Sequence, residues 1–336
     1  MARVDIAIPC YNYGRFLGEC IESVLSQAVG DIRILVIDNA STDYSVAVAR
    51  RYAEADPRIE LRARPVNLGP QASFNEAVDW AASEYFLILC ADDRLAPGAL
   101  KRAICVLDAD PAISFTHGRS ISILPSGAKT DAETGLAEGW TVTPGLAFIE
   151  RFCRTAVNHI SGCTAIVRTA CQKKAGHYRE GLPHTDDFEM WMRLATLGPV
   201  AETQAVQGIS LIHGANMSAY YHARQTRDLL ATKDAFDSFF RREGDSLAGA
   251  GALHSQAIAS IGERAYWSAI SHLLRGHGAT GLALMKLALQ LRPRNAALPP
   301  VGYLLRNDRA LRRMREVFSE MLGSAGRRSQ EARTSG

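Results

Sequence analysis

Val4-Asp-Ile-Ala-Ile-Pro9-Cys-Tyr-Asn12 is the stretch on which the reading of this chain turns. Val4 to Pro9 is apolar and rich in β-branched residues, which predicts a buried strand. Polar Tyr11-Asn12 follows at once, and then Phe16, Leu17, Cys20, Ile21, Val24 and Leu25 recur at helical spacing. The same alternation continues outward. Strands are expected at Ile32–Ile37, Ile59–Ala63, Tyr85–Cys90 and Ile113–His117. Helices are expected at Ser45–Ala55, over Ala72 to Ala81, and from Pro97 to about Asp108. Strand and helix in strict turn argue for an α/β fold: a Rossmann-like, mostly parallel sheet with helices on both faces.

The chain has 336 residues, 47% hydrophobic and 22% charged, which excludes disorder, collagen and a long coiled coil as its main architecture. Its net charge is +3, unevenly spread. Val301 to Gly336 holds eight Arg and four acids, so the remainder is close to neutral. A basic nucleic-acid-binding surface is not indicated, and no nucleic-acid partner is expected. Seven cysteines without a C-x-x-C pair argue against a zinc ribbon, and Cys10, Cys20, Cys90 and Cys105 read as small core residues. No leader or membrane span is legible, so a cytoplasmic protein is expected and the sequons at Asn39 and Asn216 are chance matches.

Beyond residue 120 the pattern loosens. Ser126–Gly139 reads as a loop, Gly145–Thr155 as a helix, Cys163–Val167 as a strand and Thr185–Leu197 as a helix. From about Ala223 the pattern is helical, with two amphipathic helices over Ala265–Leu291 around Gly276–Gly278. Gly276-His-Gly-Ala-Thr-Gly281 fits G-x-G-x-x-G, but it follows no strand and reads as a helix connector.

In an open parallel sheet, ligands bind beyond the carboxyl ends of the strands. Polar groups stand at those ends here: Tyr11-Asn12, Asp38-Asn39 and Asp92-Asp93. Each alone could be a turn or a cap; together they favour a ligand cleft. Adjacent carboxylates at Asp92 and Asp93 repel unless a cation sits with them, and a hard divalent ion, Mg²⁺ or Mn²⁺, suits that need. No Walker A loop is present.

These segments resemble the family 2 glycosyltransferases. Val4 to Asn12 is similar to their opening strand, and Ile34-Leu-Val-Ile-Asp38-Asn-Ala-Ser-Thr-Asp43 to their second strand and nucleotide-binding turn. Asn67-Leu-Gly69 with Ala72 to Asn75 matches their next segment, and Leu89-Cys-Ala-Asp92-Asp93 their metal-binding D-x-D block. The resemblance covers about residues 3 to 220. It implies a GT-A fold and transfer of a sugar from a nucleotide diphosphate, with Pro9, Tyr11, Asn12, Asp38, Gly69 and Asp92 on the nucleotide. Tyr11 would stack on the base, and Asp38 would accept from a base N–H, which suits uracil or thymine. Many relatives have Asp where this chain has Cys90. Asp93 is then expected as metal ligand and Asp92 as ribose or metal-shell contact, with the roles open to exchange. His213, in His213-Gly-Ala-Asn-Met-Ser218, would approach the diphosphate or the metal.

His184-Thr-Asp-Asp-Phe-Glu-Met-Trp-Met-Arg193 resembles the family's acidic block, where a carboxylate deprotonates the acceptor hydroxyl. Asp186-x-x-Glu189 also reads as a capping box. Asp187 is therefore expected as the base, with Asp186 as the alternative. Trp191 reads as core or as a wall of the acceptor pocket. The resemblance divides the chain into a catalytic domain at 1–222, a helical extension at 223–322 and a disordered tail at 323–336. The catalytic domain has a nucleotide-sugar half, 1–118, and an acceptor half, 119–222. The expected partners are a nucleotide-sugar and a saccharide or lipid-linked acceptor, with the basic tail as a peripheral contact to an anionic membrane. A nucleotidyltransferase and a non-catalytic nucleotide-sugar-binding relative are the rival readings.

Overall fold

Strand β1 (Val4–Cys10) is buried along its length except at half-buried Pro9, as a strand covered on both faces must be. It pairs in parallel with β2 (Ile32–Asp38) on one side and with β4 (Tyr85–Ile88) on the other. β3 (Ile59–Ala63) extends the parallel set beyond β2. The computed structural model describes residues 3–124, 126–129, 139–182, 184–214, 216, 225–306 and 312.

Helix α1 (Gly14–Leu25) follows β1, α2 (Ser45–Ala55) follows β2 and α3 (Pro70–Trp80) follows β3. α1 packs on α2, and its buried stripe is Leu17, Cys20, Ile21 and Val24, the residues of the sequence periodicity. α4 (Ala99–Ala109) carries Leu100, Ala103, Ile104 and Leu107 into the same core.

Beyond β4 the sheet is mixed. The remaining strands are β5 (Asp93–Leu95), β6 (Phe115–Ile123), β7 (Trp140–Thr143), β8 (Ile166–Arg168) and β9 (Val200–Leu211). The sheet order is β3-β2-β1-β4-β8-β6-β9-β5, with β7 on β9. β8 is antiparallel to both β4 and β6, β9 is parallel to β6, and β5 and β7 run antiparallel to β9. Thus the expected strand Tyr85–Cys90 ends at Ile88, and the chain turns before resuming as β5. The expected strand Cys163–Val167 divides into a 3₁₀ turn at Gly162–Thr164 and the short β8. Helices α5 (Gly145–Thr155), α6 (Thr169–Ala175) and α7 (Asp186–Ala195) complete the order up to β9. α6 contacts both α3 and α7.

By its internal contacts the chain forms two units, 1–149 with 159–219, and 150–158 with 220–336. The second unit is helical: α8 (Gln225–Phe240), α9 (Ala250–Leu274), α10 (Gly278–Leu291) and α11 (Val301–Arg306). Buried Glu263 on α9 pairs there with Arg292 and Arg306. The G-x-G-x-x-G match begins in the turn after α9 and runs through the first turn of α10, so only Gly276 and His277 are connector. The 323–336 tail and most of the Ser126–Gly139 loop lie outside the described residues.

A buried charge fixes the amino end of β1. The Asp5 carboxylate accepts from Arg33 Nε (2.8 Å) and Nη2 (2.7 Å), from the Ala82 and Ser83 amides (2.7 and 2.8 Å) and from Ser83 Oγ (2.6 Å). Burial opposes ionisation, but Arg33, Ser83 and the two amides together hold the carboxyl below its usual range. A depressed folded-state pKa contributes stability above the unfolded value of about 4, and that stability is lost as pH falls through the folded value. Asp5→Ala is expected to cost about 3 kcal/mol in urea denaturation at pH 7, because it leaves two buried amides without acceptors. The difference from wild type should shrink below about pH 4; an equal loss at every pH would contradict this account.

Candidate active site

Parallel register sets the site. Cys10 stands opposite Asp38, so β1 and β2 end level. The Asn39 amide continues the ladder to Cys10 O (2.9 Å). On the other side, Leu89 N donates to Ala7 O (2.9 Å) and Ala91 N to Pro9 O (3.3 Å). The segment after β4 is thereby held against β1 until Asp92. The carboxyl ends of β1, β2 and β4 form one edge, where Tyr11, Asn12, Asp38 and Asp92 follow their strands.

The turns at this edge lock one another. Asn12 adopts φ 58°. Its N–H donates to Ser41 Oγ (2.9 Å), and its Oδ1 accepts from Thr42 N (2.8 Å). The Asp43 carboxylate accepts from Gly14 N (3.0 Å) and Ser45 N (2.9 Å). A Cβ on Gly14 would lie 2.9 Å from Ser45 N and from the Tyr44 ring, so only glycine lets these turns meet. Asn12 therefore fastens the β2–α2 turn. Tyr11, beside it, is 44% exposed.

Asp38 is 1% exposed. Its Oδ1 accepts from Ser41 N (2.9 Å), while its Oδ2 is buried without a hydrogen-bond partner. A buried acceptor in that condition is costly unless a ligand donor completes it. Asn39, which the sequence offered only as a neighbour of Asp38, organises the adjoining loop. It donates to Asn67 Oδ1 (2.8 Å) and Gly69 O (3.1 Å), and accepts from Leu68 N (3.0 Å) and Arg64 Nη1 (3.2 Å). Gly69 sits at φ 83° just before α3.

Asp92 is 7% exposed, and its Oδ2 meets His213 Nε2 (3.2 Å) and Asn216 Nδ2 (2.9 Å). The His213 ring stacks on Phe16 of α1 (4.7 Å between centroids) and meets Tyr13 edge-on (5.5 Å). His213 and Asn216, just after β9, thus meet the Asp92 end of the site. Burial raises the Asp92 carboxyl, with His213 and Asn216 opposing. Asp93 is pushed up to about 8, by burial first and then by the Asp92 charge, against hydrogen bonds from Ser210 and Cys163. Two such neighbours cannot both ionise cheaply without a cation. Donor atoms of Cys90, Asp92 and Asp93 lie within 4.8 Å of one another. Carboxylates with an adjacent imidazole are a donor set that fits a divalent metal. Cys105 is exposed, so it is not the core residue its apolar run suggested, while Cys90 is half-buried beside the two carboxylates.

The acidic pair of α7 is arranged differently from the expected capping box. The N-cap is Thr185, and Asp186 is already the first helical residue. Glu189, buried, pairs instead with Arg193 Nε (2.8 Å) and with Arg179. A capping glutamate must reach back to a free N–H, and two guanidinium groups outbid one amide. Asp186 is 4% exposed. It accepts from Gln71 Nε2 (3.1 Å) on α3 and from Asp187 N (3.0 Å). Asp187 is half-buried, with Phe188 N on its Oδ1 (2.6 Å). Trp191 is buried and stacks on Phe115 (5.5 Å). Gln71, which no pattern singled out, and Asn216, which read only as a chance sequon, gain their roles from the packing of distant segments.

The Asp186 carboxyl is raised to about 7, by burial first and then by the Asp187 charge. A raised folded-state pKa gives stability that is complete below the unfolded value of about 4 and lost as pH rises to about 7. Asp186→Asn is expected to be more stable than wild type by about 2 kcal/mol at pH 8, with the gap closing near pH 4. Urea denaturation across that range tests it; a variant less stable at pH 8 would contradict it.

Comparison with known proteins agrees with this geometry. The family model described as glycosyl transferase family 2 matches residues 5–173. Chondroitin synthase of Pasteurella multocida is 23% identical over 219 residues, covering 64% of this chain and 21% of its own. The chain therefore spans about a fifth of that relative's length. Among solved structures, TarS of S. aureus in complex with UDP-GlcNAc aligns at TM-score 0.57 and 15% identity, covering 88% of this chain and 92% of that one. The mannosyltransferase PcManGT of Pyrobaculum calidifontis, in complex with GDP-Man and Mn²⁺, aligns at TM-score 0.57 and 20% identity over 96% of this chain and 84% of its own. With half of its length matched by the family model, and with strands β1, β2 and β4 carrying the motifs, the chain belongs to glycosyl transferase family 2.

Proposed function

We propose that the chain is a metal-dependent, inverting glycosyltransferase that takes a UDP-sugar as donor and a saccharide or glycolipid hydroxyl as acceptor. The observation that carries this reading is the buried, unpartnered Asp38 Oδ2 on the same sheet edge as the Asp92–Asp93 pair. An acceptor poised for a ring N–H at one place, and carboxylates in need of a cation at another, match the two ends of a nucleoside diphosphate. Exposed Tyr11 gives the base a face to stack on, and Pro9 and Gly69 border the same edge.

The residues proposed to hold Mg²⁺ or Mn²⁺ are Asp92, Asp93 and His213. The His213 and Asn216 contacts favour Asp92 as the central ligand, an exchange of the roles first expected for the two carboxylates. A bound cation would supply charge neutralisation for the departing diphosphate. Tyr13 and Phe16 hold the His213 ring against Asp92. Asp187 accepts the proton of the acceptor hydroxyl, which attacks the anomeric carbon from the face opposite the diphosphate. One displacement inverts that centre. Asp186, whose raised carboxyl is tied to Gln71 and accepts from Asp187 N, would serve to orient the start of α7.

The distant solved structures bind UDP-GlcNAc and GDP-Man, so the base is settled by assay. UDP-, dTDP- and GDP-sugars with Mn²⁺ should yield nucleoside diphosphate, fastest from a UDP-sugar. Release of pyrophosphate from nucleoside triphosphates would point to the nucleotidyltransferase reading instead. Asp187→Asn should lower kcat by about 10² to 10⁴ while leaving donor binding intact. Full turnover in that variant would remove Asp187 from the role of base.

Among the described residues no helix is long and apolar enough to cross a membrane. The basic tail proposed to contact an anionic membrane lies mostly outside those residues.

A further inference from the structure

By the resemblance of Leu89-Cys-Ala-Asp92-Asp93 to a D-x-D block, Cys90 places a thiol where an acid would be expected. It is half-buried, between Leu89 and Ala91, whose amides the Ala7 and Pro9 carbonyls hold against β1. Its donor atom stands within 4.8 Å of those of Asp92 and Asp93. The structural duties of Cys90 fall on its main chain: its carbonyl accepts from Asp93 N (2.9 Å) and from Cys20 Sγ (3.6 Å). The thiol is thus grouped with the two carboxylates.

We infer that Cys90 Sγ is a direct ligand of the divalent cation, beside the Asp92 and Asp93 carboxylates, and makes the centre select thiophilic ions over Mg²⁺. The inference rests on the proposal above that this edge holds a cation. Mg²⁺ takes oxygen ligands almost alone, whereas thiolate sulfur suits Cd²⁺, Zn²⁺ and Co²⁺, with Mn²⁺ between them. On coordination the thiol proton passes to solvent, because the ligand is the thiolate. A sulfur ligand in place of a carboxylate oxygen therefore changes which ion is held.

The test is a titration of the full chain with Co²⁺, followed by near-ultraviolet absorption and in parallel by calorimetry. A sulfur-to-cobalt charge-transfer band should rise with the first equivalent. It should vanish in Cys90→Ser, which still binds Co²⁺ about tenfold more weakly, and persist in Cys105→Ser and Cys171→Ser. Cys90→Asp restores an all-oxygen set and should shift the Mg²⁺-to-Cd²⁺ affinity ratio about tenfold toward Mg²⁺. Stoichiometric Co²⁺ binding without the band, or a band that survives Cys90→Ser, would overturn the assignment. A wild-type chain that binds neither Co²⁺ nor Mn²⁺ would overturn the metal reading itself, and this inference with it.

Discussion

Hydrogen bonding of β1 on both of its edges is the constraint from which the site follows. Because β2 and β4 both run parallel to it, their carboxyl ends lie side by side. The ladder even outlasts the strands: Asn39, Leu89 and Ala91 keep bonding to the carbonyls of β1 after the regular pairing ends. Each of those bonds fixes a neighbour of a candidate site residue. Asn39 follows Asp38, and Ala91 precedes Asp92. A slip of one residue in either pairing would turn these side chains to the opposite face of the sheet. Asp5, buried under Arg33 at the other end of β1, anchors the strand against such a slip.

Burial then gives the edge its chemistry. Asp38, Asp92 and Asp186 are all nearly out of contact with water, and carboxylates in that position need partners. Some are supplied internally: Ser41 to Asp38, His213 and Asn216 to Asp92, Gln71 to Asp186. The supply is incomplete. One oxygen of Asp38 has no donor, and Asp92 and Asp93 have more negative charge between them than their neighbours balance. A ligand bringing a ring N–H and a cation would complete both. The rest of the edge, from the Asn12 clip to the Asn39 network, is tied together by hydrogen bonds within the chain.

The parallel half of the fold was legible in the sequence because β1 to β4 and α1 to α4 carry strong periodicity. Ser45–Ala55 and Ile59–Ala63 fall where the pattern puts them. The mixed half was not. β5 is three residues long, and β9 contains Glu202, Thr203, Gln204 and Gln207 among its apolar positions. Asp38, Asp92, Asp93, Asp186 and Asp187 were visible as polar groups at strand or helix ends. What they touch was not, since Gln71 meets Asp186, and Asn216 meets Asp92, across more than a hundred residues. The capping box failed for a similar reason: Arg179 and Arg193 claim Glu189, and nothing local announces the first of them.

The account's central claim is that a nucleoside diphosphate and a divalent cation occupy this edge together. Calorimetric titration of the full chain with UDP, in Mn²⁺ and again in EDTA, addresses it most directly. Saturable one-to-one binding that needs Mn²⁺ is the predicted result. UDP affinity that is the same in EDTA as in Mn²⁺, or no UDP binding in either, would contradict it.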